Sequence, residues 1–244
     1  YGNSSDSGNE DKTNVWTNAK RIYHLEETSG TSVADSSSNN TAATNNGATV
    51  NQAGLFSKAY SFDGNDYIDC GNLAVGAGQT VVGWIKHSTS PSTAQTYWGV
   101  CVSNGLTTST NNIQTQTTTG KLLSYVYDTT PNIGASGLSN TTWYQIAVTI
   151  SSAKSVQLYR DGATDGSART ATTVPTSNKF SIGRTGEYNG IYFAGYVDEL
   201  WVFTDDKGLN FIIANYNNTI NYSSFITIDG AVQIGSSPKQ VYPV

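Results

Sequence analysis

Residues 59–69 read AYSFDGNDYID, and residues 193–203 read FAGYVDELWVF. In both stretches apolar or aromatic residues alternate with small, polar or acidic ones at a period of two. This is the pattern of a β-strand with one buried face. Both stretches are therefore predicted to be strands, and both carry carboxylates at their turns or edges.

Further strands are predicted along the chain, each bounded by turn residues: 80–86, 97–102, 122–127, 143–151, 155–160 and 179–184. Asp161-Gly162 follows one of them and signals a hairpin, because glycine accepts the positive φ of such a turn. One short helix is predicted over 207–216, with Asp205 or Asp206 as its N-cap. Short strands without a long helical period predict an all-β sandwich with one short C-terminal helix.

The opening of the domain supplies a third motif. Residues 19–37 read AKRIYHLEETSGTSVADSS, a strand followed by a glycine turn and an Asp-Ser turn. Together with 59–69 and 193–203, this order resembles the laminin-G-like, or concanavalin A-like, jelly rolls over about residues 20–222. The resemblance implies an antiparallel two-sheet jelly-roll sandwich. It also implies an extracellular, cell-surface or virion-surface binding module rather than an enzyme.

Three regions are predicted. Residues 1–18 are polar and form an irregular lead-in or linker, 19–228 form the laminin-G-like jelly roll with a last strand at 223–228, and 229–244 form a tail. The start YGNSS is similar to the end of a preceding domain in bacterial and phage proteins, so neighbouring domains or copies in a larger assembly are expected.

Composition excludes several classes of partner. The formal net charge is −5, charged residues make up 13% of the chain, and Lys and Arg do not cluster. These features argue against a nucleic-acid or anionic-membrane partner, and no apolar run approaches the roughly 20 residues of a membrane span. Cys70 and Cys101 are too few for a zinc site, and either a disulfide or two free thiols would be consistent with the sequence.

Catalysis is not predicted. The histidines are His24 and His87, no G-x-S-x-G elbow occurs, and no strand carries the paired carboxylates of jelly-roll glycanases. His24 is interpreted as a structural residue. A carboxylate pair assembled from distant strands is the remaining enzymatic alternative.

Calcium is the cofactor that the resemblance implies, since carboxylate and carbonyl oxygens suit this ion. The predicted metal ligands are Glu26, Asp63 and Asp198, with Asp35 as a weaker candidate. The alternative is that Asp63 makes an Asp-Gly turn and Asp198 accepts hydrogen bonds from backbone amides.

A glycan-binding surface is predicted from aromatic residues in polar, turn-rich segments: Tyr97, Trp98, Tyr188, Asn189 and Tyr192. Exposed rings would stack on the apolar face of a sugar while amides bind its hydroxyl groups. Local packing of these rings is the alternative. The resemblance implies that Trp84 and Trp143 are core residues, and Trp201 stays undecided between core and surface.

The sequence thus predicts a non-catalytic, calcium-supported module whose partner is a glycan or surface polysaccharide. The rival hypothesis is a structural or adhesive protein of a phage, virus or cell surface without a sugar ligand. Five N-x-[ST] sequons, at Asn3, Asn39, Asn140, Asn217 and Asn221, indicate glycosylation only where the source has the machinery.

Overall fold

A computed structural model of the protein describes residues 18–73, 76–101, 109–126, 131–172, 174, 179–185 and 191–220. Within strands, the side chains of residues 100, 101 and 109–112 are not described. The predicted lead-in, the last strand at 223–228 and the tail lie outside the described residues, apart from Asn18.

The described chain consists of short strands and one helix. The strands are β1 (Ala19–Tyr23), β2 (Ser32–Val33), β3 (Ala43–Asn46), β4 (Thr49–Ala53), β5 (Lys58–Asp63), β6 (Tyr67–Asn72), β7 (Gln79–His87), β8 (Thr96–Cys101), β9 (Ser109–Thr115), β10 (Lys121–Val126), β11 (Asn132–Gly137), β12 (Trp143–Ile150), β13 (Ser155–Arg160), β14 (Ala163–Thr164), β15 (Arg169–Thr170), β16 (Lys179–Ile182) and β17 (Ala194–Phe203). The helix is α1 (Gly208–Ile220).

These strands form two antiparallel sheets. Sheet A runs β14-β13-β12-β7-β17-β5-β4, with β1 paired to β17 and β15 paired to β13. Sheet B runs β11-β10-β9-β8-β16-β6-β3-β2. Neighbouring strands are often distant in sequence, as where β17 lies between β5 and β7. The predicted jelly-roll sandwich is therefore confirmed.

The main core lies between the sheets and includes Tyr60, Phe62, Ile85, Phe180 and Leu200. A smaller apolar cluster lies on the outer face of sheet A, where α1 covers Val82, Ala147, Tyr159 and Phe203 with Ile212. Side chains of β7, β12 and β17 thus alternate between the central core and this outer face. The helix covers only part of the outer face, which leaves room for exposed groups beside it.

Most predicted elements are present. The prediction for 155–160 matches β13, and Asp161 and Gly162, with φ of 51° and 76°, make the turn into β14. Residues 59–69 span β5, a turn at Gly64 (φ 104°) and most of β6. The helix is longer than predicted. Strands β9 and β11 were not predicted, because their polar sequences lack a clear alternation of apolar residues.

The two cysteines lie on β6 and β8, with β16 between them. Lys179 of β16 pairs with Asn72 on one side and Cys101 on the other. Two strand spacings separate the cysteine backbones by about 10 Å, beyond the roughly 7 Å that a disulfide can bridge. Cys70 is buried and carries a free thiol, whose pKa is raised by burial.

No helix in the described ranges is long and apolar enough to cross a membrane.

Candidate functional site

Tyr97 and Trp98 lie in the core, so the prediction that they form an exposed aromatic face is wrong. Their exposed fractions are 0% and 2%. The β8–β9 ladder shifts register between Thr96 and Trp98, and such a bulge re-aims a side chain relative to simple alternation. Both consecutive rings therefore pack into the same core, and neither is available to a ligand at the surface.

The hydroxyl of Tyr97 is satisfied inside the core. It lies 2.8 Å from His87 Nε2, and the two rings meet edge to face. His87 is fully buried, its Nδ1 has no hydrogen-bond partner among the described residues, and burial lowers its pKa to about 4. His87 is thus a neutral structural histidine.

The other predicted ligand-binding residues are only partly described. Tyr192 is half-buried and pairs with Arg184 in an isolated bridge. Tyr188 and Asn189 lie outside the described residues.

Asp63 makes a turn. Its Oδ1 accepts a hydrogen bond of 3.1 Å from the amide of Asn65, and Gly64 between them has a positive φ. This is the local bond by which aspartate favours turns.

Asp198 is fully buried and holds a different turn. Its Oδ2 accepts hydrogen bonds of 2.7 and 3.2 Å from the amides of Leu55 and Phe56, between β4 and β5. A Cβ at Gly54 would lie 2.7 Å from this oxygen, so glycine is needed there. Burial raises the pKa of Asp198 to about 7, although the two amides oppose the shift.

The three predicted calcium ligands do not form one site. Asp63 pairs with Ala194, four residues along β17 from Asp198, which separates the two aspartates by about 13 Å. Glu26 is exposed and close enough to Asp198 to raise its pKa further. In the described part of the chain, no group of three or more His, Cys, Asp or Glu side chains could hold a metal ion. Glu26, Asp63 and Asp198 therefore do not together form a single calcium site among the described residues.

Asp35, the weaker candidate, is also structural. Its carboxylate accepts hydrogen bonds from the amides of Ile22, Ser37 and Thr41, and it faces the buried guanidinium of Arg21. It joins β1 to the segment that follows β2.

A groove of about 430 Å³ opens on the outer face of sheet A. We call it the outer groove. Its aromatic lining consists of Phe56 from the β4–β5 turn, Trp201 from β17 and Phe211 from α1. Its polar lining consists of His24, Glu199, Asn215, Asn218 and Thr219.

The polar edge of the outer groove is ordered around Glu199. His24 Nδ1 lies 2.8 and 2.9 Å from the two carboxylate oxygens, and Trp201 Nε1 donates to Glu199 Oε2 at 2.7 Å. The hydrogen bond to Glu199 raises the pKa of His24, so that the pair approaches an ion pair. His24 Nε2 has no hydrogen-bond partner among the described residues, and the His24 side chain is 37% exposed.

A bulge in β17 orients this edge. The ladder with β7 shifts register between Asp198 and Trp201, and Glu199 has φ of 52°. A non-glycine residue in this left-handed region costs free energy, and such residues cluster at functional sites. The bulge directs the Asp198 carboxylate to the β4–β5 turn and the Glu199 carboxylate to the groove.

The β4–β5 turn presents Phe56, which is 49% exposed. The amide of Gly54 donates a hydrogen bond to the carbonyl of Ser57 across the turn. The Asp198 carboxylate accepts a hydrogen bond from the amide of Leu55 in the same turn. An exposed phenyl ring on a fixed turn is available for contact with a ligand.

The outer groove was not predicted from the sequence. The pattern of residues 193–203 predicts a strand but leaves Trp201 undecided between core and surface, and no motif marks Phe56. The usable signal was the aromatic pair Trp201 and Phe203 at alternate positions, of which α1 covers Phe203 more completely. Their unequal exposure could not be predicted before the position of α1 was known.

Comparison with known proteins identifies the superfamily of this fold. A family model described as the concanavalin A-like lectin/glucanases superfamily (Laminin_G_3) matches residues 62–207, more than half of the chain. The chain belongs to this superfamily. The predicted resemblance is confirmed. Among curated proteins, no significant match was found.

Solved structures of similar fold include a sialidase, a domain of an arabinanase and the binding domain of a neurotoxin. Trypanosoma rangeli sialidase in complex with sialic acid is 12% identical with a TM-score of 0.66, over 83% of this chain and 33% of the sialidase. A second similar structure is domain 4 of AbnA, a GH43 extracellular arabinanase from Geobacillus stearothermophilus, in complex with arabinotriose. It is 16% identical with a TM-score of 0.53, over 79% of this chain and 85% of that domain. The botulinum neurotoxin serotype D binding domain is 13% identical with a TM-score of 0.62, over 82% of this chain and 52% of that domain.

The chain thus spans about a third of the length of the sialidase. At these identities the likeness shows the fold alone.

Proposed function

We propose that this protein is a non-catalytic, extracellular or surface-located glycan-binding module, and that the outer groove is its binding site. One observation carries the proposal: aromatic rings, and polar groups without a partner among the described residues, line the same surface groove. Phe56 and half-buried Trp201 offer ring surface, and His24 Nε2 and the exposed Asn218 amide border it.

Such a surface suits a neutral saccharide. The C–H face of a sugar ring can stack on an aromatic side chain, while histidine and amide groups bind its hydroxyl groups. The nearby carboxylates, Glu199 and Glu26, disfavour a negatively charged sugar at this position. Weak binding at a single groove, with gain through several copies, is the expected behaviour.

The absence of catalysis is part of the proposal. Among the described residues that line the outer groove, Glu199 is the only carboxylate, whereas glycoside hydrolysis generally uses two. Both of its oxygens are already engaged by His24, and one also accepts from Trp201. Release of reducing sugar from a bound glycan, abolished by Glu199→Gln, would overturn this part.

One of the similar structures supports the ligand class: it is an arabinanase domain in complex with arabinotriose.

A second candidate function, assembly or adhesion without a sugar, is favoured by α1. Leu209, Ile213 and Ile220 are 39%, 37% and 43% exposed on this helix. Concentration-dependent oligomers in sedimentation, lost in Ile213→Ser, would support it.

The test of glycan binding combines a glycan array with titration. Wild type is expected to bind a neutral glycan on the array, and Phe56→Ala is expected to weaken that binding about tenfold, the loss of one stacking contact. Ile133→Ala is the matched control, because Ile133 is also an exposed apolar residue (40%) but lies on sheet B. Equal binding by Phe56→Ala and wild type would move the site elsewhere.

Calcium support rests on the family resemblance alone. Among the described residues, Asp198 Oδ1 is the one oxygen of the predicted metal ligands that is buried and accepts no hydrogen bond. We expect chelation to lower the melting temperature of protein prepared in calcium, since an ion that binds only the folded state stabilises it. Identical melting curves with millimolar calcium and with excess chelator would remove the ion from the proposal.

A further inference from the structure

Three side chains meet on the part of sheet A that α1 leaves uncovered. Tyr196 of β17 pairs in register with Lys86 of β7, and Lys86 pairs with Trp143 of β12. All three side chains lie on the outer face and are half-buried. We call this cluster the lysine platform. Its three adjacent strands span about 10 Å.

Among the described residues, the ammonium group of the platform contacts rings and no carboxylate. Lys86 Nζ lies 4.2 Å from the ring centroid of Tyr196 and 5.0 Å from that of Trp143. The two rings are 6.3 Å apart and steeply inclined. Cation–π contacts hold the ammonium in place without neutralising its charge.

Three polar atoms of the platform lack a protein partner within the described residues: Lys86 Nζ, Trp143 Nε1 and the Tyr196 hydroxyl. Two other donors on this face have protein partners. Gln145, two residues after Trp143, donates to Asn215 of α1, and Trp201 donates to Glu199. The platform thus combines aromatic surface with three available donors, one of them charged.

We propose that the lysine platform is a second saccharide-binding site, specific for a sugar that carries a carboxylate. The ammonium binds the carboxylate as a point charge, the indole N–H and the phenol hydroxyl bind hydroxyl groups, and the outer edges of the two rings contact the sugar ring. The ligand class differs from that of the outer groove, where carboxylates border the site. The proposal does not depend on the outer groove.

Charge supports this assignment. The chain has 13 Lys and Arg against 18 Asp and Glu, so its formal net charge is negative. Because the protein as a whole repels anions, capture of an acidic sugar requires a local cation of this kind. Binding at the platform should therefore weaken with salt, whereas binding at the outer groove should not.

The test uses two trisaccharides of matched linkage, one of galacturonic acid and one of galactose, titrated into the full chain at low and high salt. Wild type is expected to bind the galacturonic acid trisaccharide. Lys86→Gln is expected to weaken that binding about tenfold, the loss of one charged hydrogen bond, and to remove its salt dependence. Phe56→Ala should leave it unchanged.

Trp143→Phe gives a second reading, because it keeps a ring under the lysine but removes the indole donor; it should weaken binding less than Lys86→Gln. Melting curves confirm that each variant is folded. No binding of the acidic trisaccharide by wild type, equal binding by Lys86→Gln, or equal affinity for the two trisaccharides at the platform would overturn the proposal. Loss of glycan binding in Phe56→Ala alone concerns the outer groove and not the platform.

Discussion

Asp198 is the residue that links the family motif to the outer groove. Its carboxylate accepts from Leu55 and Phe56, so it sets the turn from which Phe56 projects. One buried side chain on β17 thereby positions an exposed ring on another element. Its importance is structural, which is the alternative that the sequence left open beside metal binding.

We expect Asp198→Ala to lower the free energy of unfolding by about 2 kcal/mol, because two amides lose a shared acceptor. Asp198→Asn should cost less, since its amide oxygen can still accept. The same ranking should appear in glycan affinity, because the turn carries Phe56. Chemical denaturation and titration provide both readings, and an Asp198→Ala variant as stable as wild type would refute the structural role.

The buried ring of His87 makes the free energy of unfolding depend on pH. Its pKa of about 4 lies below the ordinary 6.5 because burial disfavours the charged ring. Between these values the unfolded chain binds more protons than the folded one. The stabilisation is complete above pH 6.5 and is lost as the pH falls toward 4, by roughly 3 kcal/mol.

The raised pKa of Asp198 acts in the opposite direction over a similar range, because its neutral form is favoured in the folded protein. The pH dependence of the wild-type unfolding free energy therefore does not isolate the contribution of His87. The difference in unfolding free energy between wild type and His87→Gln, measured with chelator present, removes the shared contribution. It should shrink as the pH falls from 7 to 4, and a constant difference would contradict a buried neutral His87.

Among the elements, β17 shows how far alternation predicts a strand. The pattern of residues 193–203 correctly predicts a strand, but strict alternation would place Val197 on the face opposite to Leu200 and Val202, whereas all three lie in the central core. It does not predict the register shift between Asp198 and Trp201, because a bulge depends on pairing with β7. The register shift after Thr96 of β8 depends in the same way on pairing with β9. Tyr97 and Trp98 were misplaced because their polar, turn-rich neighbours suggested an exposed segment, whereas both rings lie in the core.

The backbone of Glu199 can be tested apart from its carboxylate. Glu199→Ala and Glu199→Gly both remove the contacts to His24 and Trp201, but only glycine adopts a φ of 52° without strain. We expect the glycine variant to be the more stable of the two by about 1 kcal/mol, and both to lose glycan affinity. A more stable alanine variant in thermal unfolding would show that the bulge is unstrained.

On the scale of the whole molecule, the sequence predicts the two-sheet sandwich and the position of one helix. It does not predict which loops and faces remain open. That outcome depends on where α1 lies on sheet A: the helix covers Phe203 and Ala147, borders Trp201, and leaves Lys86 and Trp143 half-buried. The candidate surfaces follow from this packing, which joins residues more than 100 positions apart.

The most direct test of the central claim, that the outer groove binds a glycan, is the indole N–H resonance of Trp201 in a ¹⁵N–¹H spectrum, assigned with Trp201→Phe. Trp201 Nε1 donates to Glu199 at the groove, whereas Trp84 and Trp98 are buried in the fold. On titration with the neutral glycan that binds best on the array, the Trp201 resonance should move, and those of Trp84 and Trp98 should stay in place. Saturating binding that leaves the Trp201 resonance unchanged would contradict the account.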